Sequence, residues 1–218
     1  MDKPFVITID GTAGSGKGTL ARALAAHYGF QYLDTGKIYR AVGYAAIKAG
    51  QDPHNESAAL AAAQSVAACL STELLADPEL RRDEVGQAAS IVAVMPSVRA
   101  VLLAGQRQFI RDAARGAVMD GRDCGTVICP EAPIKFFVTA SAEVRAQRRL
   151  KELNELNILA RYEDVLADII ARDARDSGRE AAPLKPAPDA VMMDTSAQTA
   201  DDVFTAATAR IDGVLSRS

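Results

Sequence analysis

Phe5-Val6-Ile7-Thr8-Ile9-Asp10 runs directly into Gly11-Thr12-Ala13-Gly14-Ser15-Gly16-Lys17-Gly18-Thr19, and this junction decides the fold. The first part is a short apolar, β-branched run ending in an acid, which predicts a buried parallel strand. Leu20, Leu24 and Tyr28 recur at fourfold spacing, which predicts a helix over 17–28 that Gly29 stops. The glycine-rich stretch between them is a loop. Working outward, apolar runs at 30–34, 116–120, 134–138 and 190–193 read as further strands. Helical patterns fall at 37–49, 57–70, 98–113, from Ser141 onward, at 162–175 and at 201–215, with Ser141 as an N-cap. Strands alternating with helices predict an α/β protein with a mostly parallel sheet.

The whole chain fits that picture. Its 218 residues bury a sizeable core without staples, and 49% apolar with 24% charged residues is an ordinary globular composition. The 25 basic and 28 acidic residues give a net charge of −3, so the basic footprint of a duplex-coating protein is missing. Any anionic ligand must be held by locally placed cations. Cys69, Cys124 and Cys129 are an odd number with no metal-ligand pairing, which reads as reduced thiols in the cytoplasm. Met1-Asp2-Lys3-Pro4 does not read as a signal peptide, and the alanine-rich 58–63 is far short of a membrane span. A soluble monomer without nucleic-acid or membrane partners is expected.

The loop from Gly11 to Thr19 has the spacing of a phosphate loop in the strand-to-helix context that the motif requires. Small residues let successive backbone N–H groups turn inward as an anion nest, and the following helix dipole points its positive end the same way. Lys17 adds a mobile charge for the outer phosphates of a nucleoside triphosphate. Gly18 stands where the common motif carries a hydroxyl, and Thr19 supplies one a place later, to magnesium or to phosphate. A second segment, Asp34-Thr35-Gly36-Lys37-Ile38-Tyr39-Arg40, follows a strand at the edge where open sheets bind ligands; Thr35 is expected to cap the helix. A third, Asp120-Gly121-Arg122-Asp123-Cys124-Gly125-Thr126, ends a strand. Asp120 there is placed to hold magnesium through water. Arg122 and Asp123 are placed for a second ligand or form an ion pair in a turn. Arg172, Arg175 and Arg179 fall at one face of a helix, with Asp173 and Asp176 between them, before Ser177-Gly178 and a proline-rich stretch. Such a run is a solvated face or the cationic lid of a phosphoryl-transfer site.

Together these segments, with Ala88-Ala89-Ser90 and Pro96 through Val98-Arg99, resemble the bacterial cytidylate kinase family over about residues 5 to 195. Gly-Lys-Gly-Thr is also the arrangement of nucleoside monophosphate kinases. The resemblance implies a three-layer fold of the phosphate-loop nucleoside-triphosphate-hydrolase type with a five-stranded sheet. It implies one kinase domain with a core of 1–50 and 93–218, a short monophosphate-binding insertion at about 51–92 and a lid at about 172–188. It implies transfer of the γ-phosphoryl group of ATP, with magnesium, to CMP or dCMP. Gly11, Thr12, Ala13, Gly14, Ser15, Gly16, Lys17, Gly18 and Thr19 would bind ATP. Thr35, Arg40, Ser90, Arg99, Arg122, Asp123, Arg172 and Asp176 would bind CMP. Lys17, Arg122, Arg172 and Arg179 would carry catalysis, with Thr19 and Asp120 toward the metal. Ser90, Arg99 and Asp123 would read the base, since a carboxylate accepts from the cytosine N4 amine and repels the uracil carbonyl. The family carries a longer β-rich insertion where 71–84 here is short and charged.

Rival readings are a kinase for another small acceptor, of adenylate, uridylate or shikimate type, or a nucleotide switch. The Gly-Arg-Asp turn and the segment from Thr35 to Arg40 argue against adenylate and shikimate acceptors. No Asn of the chain opens an Asn-Lys-x-Asp element, which argues against the switch.

Overall fold

A computed structural model describes residues 4–216. Met1–Lys3 of the opening stretch lie outside the described residues. The chain divides into two compact units, Met1–Tyr32 with Ala113–Ser218, and Leu33–Asp112.

The first unit is built on the sheet. Strands β1 (Phe5–Gly11), β2 (Gln31–Asp34), β3 (Gly116–Gly121), β4 (Ile134–Thr139) and β5 (Val191–Asp194) stand in the order β2-β3-β1-β4-β5. The pairings β1–β3, β1–β4 and β4–β5 are all parallel. Helices α1 (Lys17–Tyr28), α7 (Ala142–Glu155), α8 (Tyr162–Ser177) and α9 (Ala200–Leu215) belong to the same unit. Parallel strands covered on both faces must be apolar throughout, and β1 is buried from Val6 to Gly11. Ile7, Ile9, Val118, Phe136 and Val138 of the sheet meet Leu20 and Leu24 of α1 and Val203, Ala207 and Ile211 of α9 in one core. Leu153 of α7 closes with Val165 and Ile169 of α8 in a second, smaller cluster. The parallel α/β architecture is the expected one.

The second unit is helical: α2 (Thr35–Lys48), α3 (Glu56–Ala68), α4 (Thr72–Ala76), a 3-10 turn (Pro78–Arg81), α5 (Asp83–Val92) and α6 (Pro96–Asp112). The stretch 51–92, expected as an insertion, lies inside it. The α2 helix packs on α5 at Gly43, where a Cβ would lie 2.9 Å from that of Ala88. The charged segment 71–84 folds as short helical turns capped by Ser71 and Asp77.

Two local expectations are corrected. Asp34, not Thr35, caps α2: its carboxylate accepts from the Lys37 N–H, and Thr35 is the first helical residue. A carboxylate at the N-cap satisfies an orphan amide and also meets the positive helix end, so it wins over the neighbouring hydroxyl. The helix expected over 162–175 runs two residues further, yet it does not carry all three arginines on one face. The α8 helix stops at Ser177, so Arg179 lies beyond it, and Arg175 is exposed.

Candidate active site

The phosphate loop leaves β1 at Gly11 and enters α1 at Lys17. Gly14 (φ 73°) and Gly16 (φ 87°) take left-handed backbone that L side chains resist, so the loop can turn its amides to one side. No acidic residue sits in the first turn of α1 and no side chain caps it, so no carboxylate or hydroxyl of the helix's own start competes with an anion there. The loop is tightened internally: Ser15 Oγ and Lys17 Nζ donate to the Thr12 carbonyl at 2.9 and 3.2 Å.

Two side chains brace the loop from outside, and sequence reasoning missed both. Arg145 of α7 donates to the Ala13 carbonyl (3.2 Å) and, in a two-pronged contact, to Asp173 of α8 (3.0 and 2.6 Å). Thr195, just after β5, donates to the Ser15 carbonyl (2.9 Å), and Arg148 of α7 in turn holds Thr195. A cavity of about 860 Å³ opens beside the loop, lined by Gly16, Lys17, Thr19, Arg148, Thr195 and Phe204 among others.

Because β3 pairs with β1, Asp120 stands opposite Ile9 and its turn lies beside the loop. One Asp120 oxygen accepts from the Tyr32 hydroxyl at 2.8 Å. The other is 3.6 Å from where a Cβ on Gly18 would be, so the missing side chain at 18 lets the carboxylate approach the start of α1. A buried carboxylate held in this way, with Thr19 one turn into the helix, fits a magnesium ion bound with water.

After β3 the chain forms a π-helical turn, Cys124–Ile128, and Asp10 fixes its start. Its two oxygens accept from the Cys124 and Gly125 amides, each at 2.8 Å. Burial pushes the Asp10 carboxyl up to about 6. The Gly125 and Cys124 amides pull the other way, and the Asp123 charge adds to the rise. A carboxyl raised from 3.8 to about 6 keeps its proton in the folded state while the unfolded chain has released it. Stability therefore falls as pH climbs from about 4 to 6, by about 3 kcal/mol from this group. Urea unfolding at pH 4.5 and pH 7 checks it: Asp10→Asn is expected to flatten that part of the profile.

Asp123, buried at the same turn, stands next to Arg122. Arg122 Nε donates to Asp176 of α8 at 2.7 Å, and Arg179 also pairs with Asp176. Burial raises the Asp176 carboxyl, but Arg122, Arg179 and Arg172 outweigh it and hold the group down at about 2. Burial likewise disfavours the Arg122 charge, and Asp176, with Asp120 and Asp10, more than restores it. One carboxylate thus pairs with two guanidinium groups and lies within the field of a third. Loop amides, a lysine and clustered arginines are the groups that can neutralise phosphate charge.

In the helical unit, Arg40 donates to the carbonyls of Leu80 (2.7 Å) and Arg82 (3.3 Å). Gly86 makes room for it, since a Cβ there would come within 2.8 Å of the guanidinium. Arg99 lies over the Tyr39 ring at 5.5 Å and donates to the Ala93 carbonyl. Thr35 and Ser90 are buried.

A sequence profile described as cytidylate kinase matches residues 7–212. The chain is 56% identical to the cytidylate kinase of Rhodospirillum rubrum over 206 residues, 93% of this chain and 95% of that one. The chain belongs to the cytidylate kinase family.

A second family member, the cytidylate kinase of Mesorhizobium japonicum, is 51% identical over 100% of this chain and 98% of its own. Among solved structures, an uncharacterized protein from Eubacterium ventriosum covers 95% of this chain and 98% of itself with a TM-score of 0.52 at 13% identity, a likeness of fold alone. Of the residues that the cytidylate kinase resemblance singled out, Arg122, Asp123, Arg172, Asp176 and Arg179 lie in the sheet unit with the whole phosphate loop. Arg122 and Arg179 pair with Asp176, which also feels the charge of Arg172. Thr35, Arg40, Ser90 and Arg99 lie in the helical unit. Tyr32, Asp10, Arg145 and Thr195 were not singled out. Only Asp10 gave any local signal, an acid closing the apolar run of β1 just before Gly11.

Proposed function

We infer that this cytidylate kinase family member transfers the γ-phosphoryl group of ATP to CMP, and to dCMP, releasing ADP and the diphosphate. The observation that carries the chemistry is the Asp176 hub, which pairs with Arg122 and Arg179 and lies within the field of Arg172, at the end of the strand that neighbours β1.

The loop amides from Gly11 to Thr19 and Lys17 bind the donor phosphates, and the cavity beside Arg148 and Thr195 takes the donor nucleoside. Thr19, and Asp120 through water, would hold magnesium, which neutralises charge on the donor phosphates. Arg40, Arg122 and Arg172 bind the acceptor phosphate, and Asp176 with Arg172 the sugar. Arg179 faces the transferred group. The acceptor is already a phosphate oxyanion, so no general base is needed and catalysis is positioning plus charge stabilisation. Residues 172–188 act as the lid, excluding water that would otherwise hydrolyse the triphosphate. Asp123 accepts from N4 of cytosine, Arg99 donates to O2 and N3, and Ser90 assists. Ser90 Oγ is buried without a hydrogen-bond partner among the described residues, which supports giving it a ligand. Thr35 completes the acceptor set. Cysteines held as thiols fit the reducing cytoplasm, where we place the reaction. No single helix among the described residues is long and apolar enough to cross a membrane.

Coupled ADP release with each monophosphate tests the reading. CMP is expected to lead, and equal rates with CMP, UMP and AMP would overturn it. Asp123→Ala is expected to cut the CMP-over-UMP preference by about 10- to 100-fold, the worth of one good base contact. A variant that keeps its full preference removes Asp123 from that role.

A further inference from the structure

Arg145 is 3% exposed, buried more deeply than Arg148 and Arg149 of the same helix. Burying a guanidinium costs several kcal/mol unless its donors are matched, so its partners are informative. Nε donates to the Ala140 carbonyl at 2.8 Å, where β4 passes into α7. Nη1 donates to the Ala13 carbonyl, and both Nη1 and Nη2 reach Asp173. Its stem lies against the loop as well: a Cβ on Gly14 would be 3.4 Å from the Arg145 Cβ.

Two consequences follow from covalent geometry. In a trans peptide the carbonyl and the next N–H point in opposite directions. Drawing the Ala13 carbonyl toward Arg145 therefore turns the Gly14 amide away from it, to the inner side of the loop. Thr195 does the same to the Ser15 carbonyl and so to the Gly16 amide. On the other side, Asp173 lies three residues before Asp176 on α8, so the two carboxylates share a helix face. Fixing Asp173 fixes the rotation and height of the turn that carries Arg172, Asp176 and, just beyond, Arg179.

We propose that Arg145 is a positioning residue for phosphoryl transfer: its single guanidinium sets the Ala13–Gly14 peptide that faces the donor and, through Asp173, the register of the arginine-bearing turn that faces the acceptor. The proposal rests on the role given above to Arg172, Arg179 and Asp176.

The variants Asp173→Asn, Arg145→Lys and Arg145→Met separate the two arms. Steady-state kinetics, calorimetric binding of a non-hydrolysable ATP analogue and thermal unfolding are measured for each. Asp173→Asn keeps the Arg145 contacts to Ala13 and Ala140. It is expected to lower kcat about 10-fold, with the KM for CMP and the analogue Kd within about 3-fold of the parent protein. Arg145→Met is expected to lower kcat about 30- to 100-fold and to weaken analogue binding about 10-fold. Arg145→Lys keeps the charge but not the planar fork, and is expected to recover less than a third of the lost kcat.

A kcat within 2-fold of the parent for folded Asp173→Asn, or full recovery in Arg145→Lys, overturns the proposal. So does a fall in unfolding temperature with no change in kcat. If Arg145→Met does not fold, Asp173→Asn decides alone. Arg172→Ala serves as the reference. If it also leaves kcat unchanged, the arginine-cluster reading has failed, whereas if it lowers kcat while Asp173→Asn does not, only the positioning role has.

Discussion

Asp176→Ala is expected to destabilise the protein by about 3–5 kcal/mol and to lower kcat at least about 100-fold. Its carboxylate is the shared partner of Arg122 and Arg179 and lies within the field of Arg172. The Asp176 side chain is 2% exposed and those of Arg122 and Arg179 are 14% and 5% exposed, so water cannot replace the lost partner. Removing one member of such a set leaves like charges buried together, and that penalty exceeds the worth of any one bond. Urea unfolding at pH 7 reads it directly. A loss under about 1 kcal/mol would show that the arginines do not depend on this carboxylate.

The same group gives a pH signature opposite in sign to that of Asp10. Its folded value, about 2, is below its ordinary 3.8. Its contribution of about 2 kcal/mol is therefore complete above about pH 4 and is lost as pH falls from there through 2. Asp176→Asn is expected to lack that acid-limb loss, while the Asp10 slope between pH 4 and 6 persists.

The second large effect concerns the strand that carries the loop. Gly11→Ala is expected to cost about 3 kcal/mol or more and to reduce activity about 100-fold. Gly11 stands opposite Val138 in the β1–β4 ladder, and a Cβ on it would come 1.9 Å from the Val138 carbonyl oxygen. That obstacle is backbone, which cannot rotate aside, so the strands must part where the phosphate loop begins. Gly213→Ala in α9 is the control: a Cβ there meets nothing within 4 Å, and the substitution is expected to raise stability by up to about 1 kcal/mol. Thermal unfolding of the two variants side by side checks the contrast. Gly11→Ala at parental stability would mean that the ladder yields there.

Local chemistry made much of the fold legible. The helix after the loop spans Lys17–Tyr28, bounded as expected by Gly16 and Gly29, because glycine is the residue that takes left-handed backbone at both ends. Ser141 caps α7 as its sequence position suggests. The α5 helix was not anticipated. Its apolar positions are mostly small, so their period is faint until Val85, Ala88 and Ala89 are seen buried. The π-helical turn was also invisible, since Asp10 fixes its amides from 114 residues away.

Arg145 shows where local signals fail most completely. It sits in a helix that reads Ala-Glu-Val-Arg-Ala-Gln-Arg-Arg, and no pattern in that stretch separates the buried arginine from its half-buried neighbours. Tyr32 likewise reads as strand filling until its hydroxyl is found on Asp120.

By itself the sequence determined the strand–loop–helix that grips phosphate, the parallel alternation and the Gly-Arg-Asp turn. These depend on backbone conformation and side-chain period over a dozen residues or fewer. Only the tertiary structure decided what aims them: Tyr32 on Asp120, Asp10 on the turn, Arg145 on Ala13, and Thr195 on Ser15, across separations of 88 to 180 residues. Periodicity tells which face of an element is buried. Which distant donor meets which acceptor is set by how the elements pack, and a chain read residue by residue does not carry that pairing.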